Sequence, residues 1–285
     1  MKPQKLKLYT QHSRSWRDNR YVYAVISRRS KGLSIGVNVN PDKVCNFDCV
    51  YCCVDRSVPA PVAKVDLGIL AGELDHMLGF AKSGEIFKTE PFDQTPAELR
   101  RINDVAFSGN GEPTAFAGFD KACEITAELL QKHQLPDTKI VVITNATLLH
   151  RPAVARAMEF LDHHQGEIWA KLDAGTELHY RRVVRSSVPM ARVLENLAVA
   201  GRVRPIVIQS MFLNVQGQPP DAQEIDAYVG RLRDLKDQGC QIKLVQIYTV
   251  ARKTAETTVA ALSDTQLDVI AAKVRELGLA VEVYP

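Results

Sequence analysis

The sequence predicts an α/β protein built as a partial, open (β/α)6 barrel, and three observations lead to this fold class. Strand-like and helix-like segments alternate six times along the chain, which indicates a parallel sheet with crossover helices. Six such units are too few for a closed eight-fold barrel. The chain has 285 residues, 46% of them hydrophobic, which suffices for one large core. We therefore expect one barrel domain over residues 32–285, preceded by a basic N-terminal extension over residues 1–31.

The individual elements follow from apolar periodicity and from capping residues. Alternation and β-branched runs predict core strands, and these are residues 33–39, 104–108, 139–143, 168–173, 205–212 and 242–248, with a short C-terminal strand at 279–284. Apolar spacing of 3.6 residues and capping patterns predict helices, and these begin at Asp66, Thr95, Asp221 and Ser263 or cover residues 119–132, 152–163 and 191–200.

The densest chemical signal is the segment Cys45–Cys52, which follows the first core strand and spaces three cysteines as CxxxCxxC. Thiolates hold iron–sulfur clusters, and a [4Fe–4S] cluster normally has four of them. Three close cysteines bind three irons and leave the fourth iron without a protein ligand. An iron with an open position can bind a small molecule, so the spacing indicates catalysis as well as electron storage.

Other functions of the cysteines are open at this point. A structural zinc site normally has a fourth Cys or His, and the nearby thiol of Cys53 directly adjoins Cys52, an awkward position in a tetrahedron. No apolar run reaches the roughly 20 residues of a membrane helix, and residues 1–7 lack the apolar segment of a signal peptide. We therefore expect a cytoplasmic protein, in which disulfides are disfavoured. Cys123 and Cys240 lie in apolar surroundings and are predicted to be packed core thiols.

The segment Cys45–Cys52 resembles the cluster loop of the radical SAM enzymes, whose pattern is CxxxCxΦC. In that family the open iron chelates the amino and carboxylate groups of S-adenosylmethionine, and the aromatic residue Φ packs near the adenine. The resemblance implies that Cys45, Cys49 and Cys52 bind a [4Fe–4S] cluster. It also implies that S-adenosylmethionine is the second cofactor and that Tyr51 contacts it.

A second part of the resemblance is the turn Gly109-Asn110-Gly111-Glu112-Pro113, which follows a predicted strand. It is similar to the family's GGE element, which holds the methionine amino group of S-adenosylmethionine. Asn110 replaces the middle residue, so the match is one of pattern and place. The resemblance implies cofactor contacts for Gly109, Gly111 and Glu112, and an ordinary tight turn is the alternative.

Polar residues in and after the later strands are further candidates for cofactor contacts, because ligands of such sheets bind at the C-terminal ends of the strands. Lys171 and Asp173 share one face of a buried strand, where a charged pair requires a partner or a ligand. The resemblance implies cofactor contacts for these candidates, which are Thr144, Asn145, Lys171, Asp173, Gln209, Ser210 and Tyr248. For each, a satisfied polar group in the core is the alternative.

Beyond the cluster loop, the chain is similar to bacterial Fe–S oxidoreductases related to the wyosine-type tRNA-modifying radical SAM enzymes. The run Cys45–Arg56, the Gly-Glu-Pro-Thr turn and residues 248–252 carry this similarity. The wyosine enzymes have additional N-terminal cysteines for a second cluster, and no cysteine precedes Cys45 here. The wyosine reaction itself is therefore in doubt.

The resemblance implies a mechanism and its partners. A one-electron donor of the flavodoxin or ferredoxin type reduces the cluster, and S-adenosylmethionine is cleaved to methionine and a 5′-deoxyadenosyl radical. The radical abstracts hydrogen from a substrate that the sequence does not identify. Cys53 and Arg252 are the candidate catalytic residues on the substrate side, with simple packing as the alternative for Cys53.

Two other functions stay open, namely a non-catalytic iron–sulfur electron-transfer protein and an RNA-modifying enzyme. The net charge of +3 is near balance and does not by itself indicate nucleic acid. The extension is basic and aromatic, however, with Arg14, Arg17, Arg20, Arg28, Arg29 and Lys31 among Trp16, Tyr21 and Tyr23. Such an arm can bind phosphates and stack on bases, although an extension packed along the barrel is favoured. A predicted basic loop, Arg181–Arg185, is the second candidate RNA contact.

Overall fold

The computed structural model describes residues 7–9, 16–60, 62 and 64–285, so that the predicted arm residue Arg14 lies outside the described residues. Backbone packing divides the chain into two compact units. The first comprises Met1–Val44, Pro59–Val142 and Ala153–Glu167, and the second comprises Cys45–Val58, Ile143–Pro152 and Ile168–Pro285.

The first unit contains a run of strands in the order β1-β2-β3-β4, in which β1 is antiparallel to β2 and the other neighbours are parallel. The strands are β1 (Val22–Ser27), β2 (Gly32–Val37), β3 (Ile102–Phe107) and β4 (Lys139–Thr144, whose last two residues belong to the second unit). The helices are α1 (Leu67–Lys82), α2 (Phe119–Lys132) and α3 (Pro152–Asp162).

The start of α1 agrees with its prediction. The Asp66 side chain accepts hydrogen bonds from the backbone N–H groups of Gly68 and Ile69, which the first helical turn otherwise leaves without partners. The predicted apolar face is buried and consists of Leu70, Leu74, Met77 and Leu78.

The second unit contains a parallel run in the order β5-β6-β8-β10 and a separate antiparallel ribbon of β7 and β9. The strands are β5 (Gly166–Lys171, whose first two residues belong to the first unit), β6 (Ile206–Met211), β7 (Leu213–Val215), β8 (Ile242–Tyr248), β9 (Val259–Ala261) and β10 (Val281–Tyr284). The helices are α4 (Glu177–Val183), α5 (Met190–Val203), α6 (Ala222–Asp237) and α7 (Asp264–Arg275).

The predicted alternation of strands and helices is confirmed. In chain order β2, β3, β4, β5, β6 and β8 are each followed by at least one helix, and β10 is the predicted C-terminal strand. The capping predictions for the last two helices are also confirmed, since Asp221 accepts from the N–H of Glu224 and Ser263 forms a capping box with Gln266.

Two local predictions were wrong. The sequence around Thr95 forms only one 3-10 turn, Ala97–Leu99, because Pro96 has an extended backbone and β3 begins soon afterwards. The predicted basic loop is in part helical, because Thr176 caps α4 and the helix runs on to Val183.

The aromatic residues of the N-terminal extension are buried in the first unit. Trp16, Tyr21 and Tyr23 are 8%, 2% and 5% exposed. The Trp16 ring contacts Phe80 at a centroid distance of 6.0 Å, and the Tyr21 hydroxyl donates to the backbone oxygen of Lys64 (3.1 Å). These rings are packed in the core and do not form a surface on which bases can stack. Packing of the extension, the favoured interpretation, is therefore supported for residues 16–31.

Within the described residues, no helix is both long and apolar enough to cross a membrane. The predicted domain boundary after residue 31 stays a prediction.

A buried carboxylate in the first unit gives a pH-dependent prediction. Asp104 of β3 is 2% exposed and accepts a hydrogen bond from the Ser34 hydroxyl (2.5 Å). Burial raises the pKa of Asp104 from 3.8 to about 6, although the Ser34 hydrogen bond opposes this rise. Because the pKa of Asp104 is higher in the folded than in the unfolded state, the protonated carboxyl favours the folded protein, and this stabilisation is fully present at low pH. It is lost as the pH rises from about 4 to about 6.

We expect Asp104→Asn to become progressively more stable than the wild type over that window, with a total change on the order of 2 kcal/mol. Denaturant unfolding of the metal-free proteins at several pH values measures this difference. The exposed Asp137→Asn is the control for removing a carboxylate outside the core. A stability difference between Asp104→Asn and the wild type that is the same at pH 4 and pH 7 would contradict the assignment.

Candidate active site

The cysteine motif lies in a loop of the second unit, and backbone hydrogen bonds fix this loop to the end of α4. The N–H of Asp48 donates to the oxygen of Val184 (3.1 Å), and the N–H of Val50 donates to the oxygen of Val183 (3.0 Å). These bonds give partners to N–H groups of the loop and to carbonyl groups at the end of α4, which have no partner within the helix. The position of the cysteines is therefore tied to a helix.

A polar cluster around Asn46 holds the loop from another side. The Asn46 amide donates to the Thr147 hydroxyl (2.7 Å), and the Asn145 amide donates to the Asn46 side-chain oxygen (2.7 Å). The Ser186 hydroxyl donates to the backbone oxygen of Asn46 (2.9 Å). Asn145, a predicted cofactor residue, thus contacts the cysteine loop, whereas the sequence analysis missed Asn46 and Thr147.

Apolar contacts also hold the cysteine loop in place. Val50 and Tyr51 form a buried cluster with Val183 of α4 and with Leu213 and Val215 of β7. Further side chains pack against this cluster, namely Cys49, Met211, Val250 and Val259. The β7–β9 ribbon therefore supports the loop.

Hydrogen-bond donors point at two of the cysteine sulfurs. The backbone N–H of Phe47 donates to Sγ of Cys45, and that of Val54 donates to Sγ of Cys52, both at 3.4 Å. The Arg56 guanidinium also donates to Sγ of Cys52, through Nη1 at 3.3 Å. Such donors stabilise a sulfur that carries negative charge, which suits thiolate ligands.

The remaining cysteine of the motif, Cys49, packs against the buried cluster of Val50 and Tyr51. Burial raises the pKa of Cys49 to about 12, and the Asp173 carboxylate adds to this rise. The thiol is thus protonated in the metal-free protein at neutral pH. Metal binding at Cys49 must therefore release a proton.

The other three cysteines lie apart from this donor pattern. Cys53 is exposed, and its thiol is directed at the backbone oxygen of Tyr51 (3.9 Å). Cys123 and Cys240 are buried, which confirms the prediction that they are core thiols.

Behind the loop, a lysine is enclosed by two tyrosine rings and a carboxylate. Lys171, the last residue of β5, has its ammonium nitrogen 3.3 Å from Oδ2 of Asp173 and 2.5 Å from the Tyr248 hydroxyl. The same nitrogen lies 4.9 Å from the centre of the Tyr51 ring and 5.1 Å from that of Tyr248. Both distances are in the range of cation–π contacts. Four predicted site residues are thus brought together.

Asp173 connects this cluster to the loop and to β6. Its Oδ1 accepts from the backbone N–H of Met211 (2.8 Å), and its Oδ2 accepts from the Tyr51 hydroxyl. Burial by itself lowers the pKa of Lys171, but the Asp173 charge and then Tyr248 outweigh it and raise that pKa. Burial and the Asp173 charge raise the pKa of Tyr51 well above its usual value. The lysine is therefore charged and the tyrosine neutral.

The polar row continues across the sheet. Lys171, Gln209 and Gln246 are register neighbours on β5, β6 and β8. The Gln209 amide donates to the Gln246 side-chain oxygen (2.7 Å), while its own oxygen is buried without a hydrogen-bond partner among the described residues. Ser210 instead forms a hydrogen bond with the Tyr228 hydroxyl of α6 (2.6 Å). Gln246 was not predicted to be a site residue. A polar side chain two residues before Tyr248 in an otherwise apolar strand is a signal that could have indicated it.

The predicted Gly–Glu turn lies in the first unit, where close backbone packing explains its glycines. A Cβ atom on Gly109 would lie 2.4 Å from the side-chain oxygen of Asn38, and one on Gly111 would lie 2.0 Å from the backbone oxygen of Val44. Neither distance is possible without movement of the backbone or of Asn38. That Asn38 oxygen also accepts a hydrogen bond from the N–H of Asn110 (3.1 Å), which holds the turn against Asn38.

The remaining predicted residues have the following places. Glu112 is buried, and its Oε1 accepts from the N–H (3.2 Å) and the hydroxyl (2.5 Å) of Thr114. Thr144, at the end of β4, accepts from the N–H of Ala146 (3.1 Å). Arg252 is half-buried in the segment after β8.

The donor set of the loop fits an iron–sulfur cluster. Cys45, Cys49 and Cys52 are all partly accessible, and the first and last have N–H donors at sulfur. In the part of the chain that the structure describes, no three His, Cys, Asp or Glu side chains converge on a single metal ion. A four-iron cluster does not require such convergence, because each thiolate binds a different iron.

Comparison with known families agrees with this arrangement. The sequence profile of the Radical SAM superfamily matches residues 39–217, which is more than half of the chain and includes the whole cysteine loop. The chain belongs to the radical SAM superfamily. The resemblance inferred from Cys45–Cys52 is therefore confirmed.

Relatives and solved structures extend the comparison of this radical SAM chain. A UPF0026 protein of Methanocaldococcus jannaschii is 24% identical over 177 residues, which cover 61% of this chain and 48% of that protein. The chain thus spans about half the length of this curated relative.

Two solved structures are similar in fold. A radical SAM methyltransferase from Sphaerobacter thermophilus has a TM-score of 0.62 and 13% identity, covering 92% of this chain and 69% of that one. A structure of TYW1 with a lysine-pyruvate adduct bound has a TM-score of 0.53 and 16% identity, covering 87% and 74%. At these identities the likeness shows the fold alone. It confirms the predicted fold class, the radical SAM partial barrel, whereas the relation to wyosine-type enzymes stays a prediction.

The buried ion pair of Lys171 and Asp173 gives a stability prediction. The Lys171 and Asp173 side chains are only 16% and 1% exposed. We expect Asp173→Ala to lower the free energy of unfolding of the metal-free protein by about 3–5 kcal/mol, because it leaves a buried cation without its partner. The double variant Asp173→Ala/Lys171→Met should recover part of this loss. Chemical denaturation measures both variants.

An exposed ion pair provides the matched control. On α2, Nζ of Lys121 lies 2.7 Å from Oε2 of Glu124, and the two side chains are 62% and 40% exposed. Glu124→Ala should therefore have no measurable effect on the free energy of unfolding. A double variant that is no more stable than Asp173→Ala alone would show that Lys171 does not depend on Asp173.

Proposed function

We propose that this radical SAM protein is an enzyme that binds a [4Fe–4S] cluster through Cys45, Cys49 and Cys52 and cleaves S-adenosylmethionine. The observation that supports the proposal is the cysteine loop Cys45–Cys52, in which N–H donors point at the sulfurs of Cys45 and Cys52. When bound and reduced, the cluster supplies the electron that converts S-adenosylmethionine to methionine and a 5′-deoxyadenosyl radical, which abstracts hydrogen from the substrate. The donor of that electron is of the flavodoxin or ferredoxin class.

The chain's own residues hold and orient these groups. The contacts of Asp48, Val50 and Asn46 keep the cysteine loop in one conformation. Tyr51 is the aromatic residue proposed for the adenine, and its hydrogen bond with Asp173 fixes the ring. Lys171 is proposed to present a fixed positive charge to the anionic part of the cofactor, because Asp173 and Tyr248 already hold its ammonium group.

Other polar groups are further candidates for cofactor contacts. The unpartnered oxygen of Gln209 is a candidate acceptor for a hydroxyl or amine of the cofactor, since a buried carbonyl without a hydrogen bond is unfavourable. Gly109, Gly111 and Glu112, in the first unit, are proposed for the methionine amino group by their likeness to the family's element. Thr144, Asn145 and Ser210 form hydrogen bonds within the protein, and their cofactor contacts stay predictions.

The substrate-side residues Cys53 and Arg252 stay predictions, as does an RNA substrate. Burial of Trp16, Tyr21 and Tyr23 removes the stacking surface on which the RNA prediction partly depended.

The proposal is tested by anaerobic reconstitution of the cluster, followed by dithionite and S-adenosylmethionine. We expect 5′-deoxyadenosine, detected by chromatography and mass spectrometry, from the wild type. Cys45→Ala, Cys49→Ala and Cys52→Ala should each reduce it below detection, because three protein ligands are needed to leave only one iron open.

Cys123→Ala, which changes a buried thiol of α2, is the matched control and should retain product formation. Product formation by any of the three loop variants would contradict the ligand assignment. A loaded cluster to which S-adenosylmethionine does not bind would instead favour the electron-transfer alternative.

A further inference from the structure

The proposed cluster loop carries a cationic contact to a ligand sulfur. Arg56 lies four residues after Cys52, and its guanidinium donates to the Cys52 sulfur at 3.3 Å. The guanidinium is therefore in direct contact with one of the three proposed ligands.

Two backbone groups also donate to the ligand sulfurs, but they differ from Arg56 in charge. The N–H groups of Phe47 and Val54 are neutral dipoles whose positions the loop itself determines. Arg56 adds a full positive charge, and a hydrogen bond from a charged donor is about twice as strong as one between neutral groups.

The loop conformation has supports that do not involve the Arg56 side chain. The backbone of Asp48 and Val50 is bonded to α4, Asn46 is bonded to Thr147, and Tyr51 is packed in the core. Replacement of the exposed Arg56 side chain is therefore expected to leave the loop in place.

One-electron reduction makes the cluster and its ligands one charge more negative. A cation and hydrogen-bond donor at a ligand sulfur stabilises that state more than the oxidised one, and hydrogen bonds to the sulfurs are among the factors that set cluster potentials. We propose that Arg56 is a tuning residue that raises the reduction potential of the cluster through its contact with Cys52. This inference rests on the proposed function.

The experiment compares the wild type with Arg56→Gln, Arg56→Lys and the control Arg192→Gln. Arg192 is also a surface arginine of the second unit, but it pairs with Glu195 on α5. Each protein is reconstituted anaerobically, assayed for iron and sulfide, and titrated with dithionite while the reduced cluster is followed by electron paramagnetic resonance. The readout is a midpoint potential and does not depend on activity or on a substrate.

We expect all four proteins to hold equal iron. At the wild-type midpoint, Arg56→Gln should show a three- to tenfold lower ratio of reduced to oxidised cluster, a shift of about 30–60 mV to more negative potential. Arg56→Lys should shift less, because it keeps the charge and loses the planar donor. Arg192→Gln should match the wild type.

The outcomes separate this inference from the proposed function. A wild type that takes up no iron overturns both. A fully loaded Arg56→Gln with the wild-type potential overturns the tuning role and leaves the proposed function standing. Loss of iron from Arg56→Gln but not from Arg56→Lys also overturns it, in favour of a role in cluster assembly.

Discussion

The site in the second unit depends on a single buried carboxylate. Asp173 forms an ion pair with the Lys171 ammonium and accepts hydrogen bonds from the Tyr51 hydroxyl and the backbone N–H of Met211. A cation held among aromatic rings at this depth is costly without such a partner. Asp173 thereby links β5, β6 and the cysteine loop in one network.

The cysteine loop is arranged as the proposed site for a group with several negative sulfurs requires. Its outer face offers thiols with N–H donors, and its inner face is anchored by Val50 and Tyr51 in an apolar cluster. Rigid anchoring lowers the cost of ordering the ligands when a metal centre binds, which is the general benefit of preorganisation. Arg56, on the exposed side of the loop, adds a charged donor at the Cys52 sulfur.

Patterns within short segments predicted much of this structure. Period-two and period-3.6 spacing and capping residues located the strands and most helices, and the CxxxCxxC spacing with Tyr51 led to the family. Thr95 was mistaken for a helix cap because capping patterns do not reveal how soon the next strand begins. The Thr95 hydroxyl is buried and has no hydrogen bond within the part of the chain that the structure describes.

Contacts between distant segments could not be predicted in the same way. The Asn46–Thr147 hydrogen bond joins residues about a hundred positions apart, and the Gln209–Gln246 pair depends on strand register. Pairing of Lys171 with Asp173 was foreseen from their two-residue spacing, but the enclosing rings of Tyr51 and Tyr248 were not. Polar residues in apolar strands signal a site, while their partners are decided by the fold.

We propose that Cys45, Cys49 and Cys52 hold a four-iron cluster with one open iron. The most direct measurement is the electron paramagnetic resonance spectrum of the reduced, reconstituted wild type before and after addition of S-adenosylmethionine. The account predicts a four-iron signal whose g values change when the cofactor binds the open iron. A four-iron signal that is identical with and without saturating S-adenosylmethionine would contradict it.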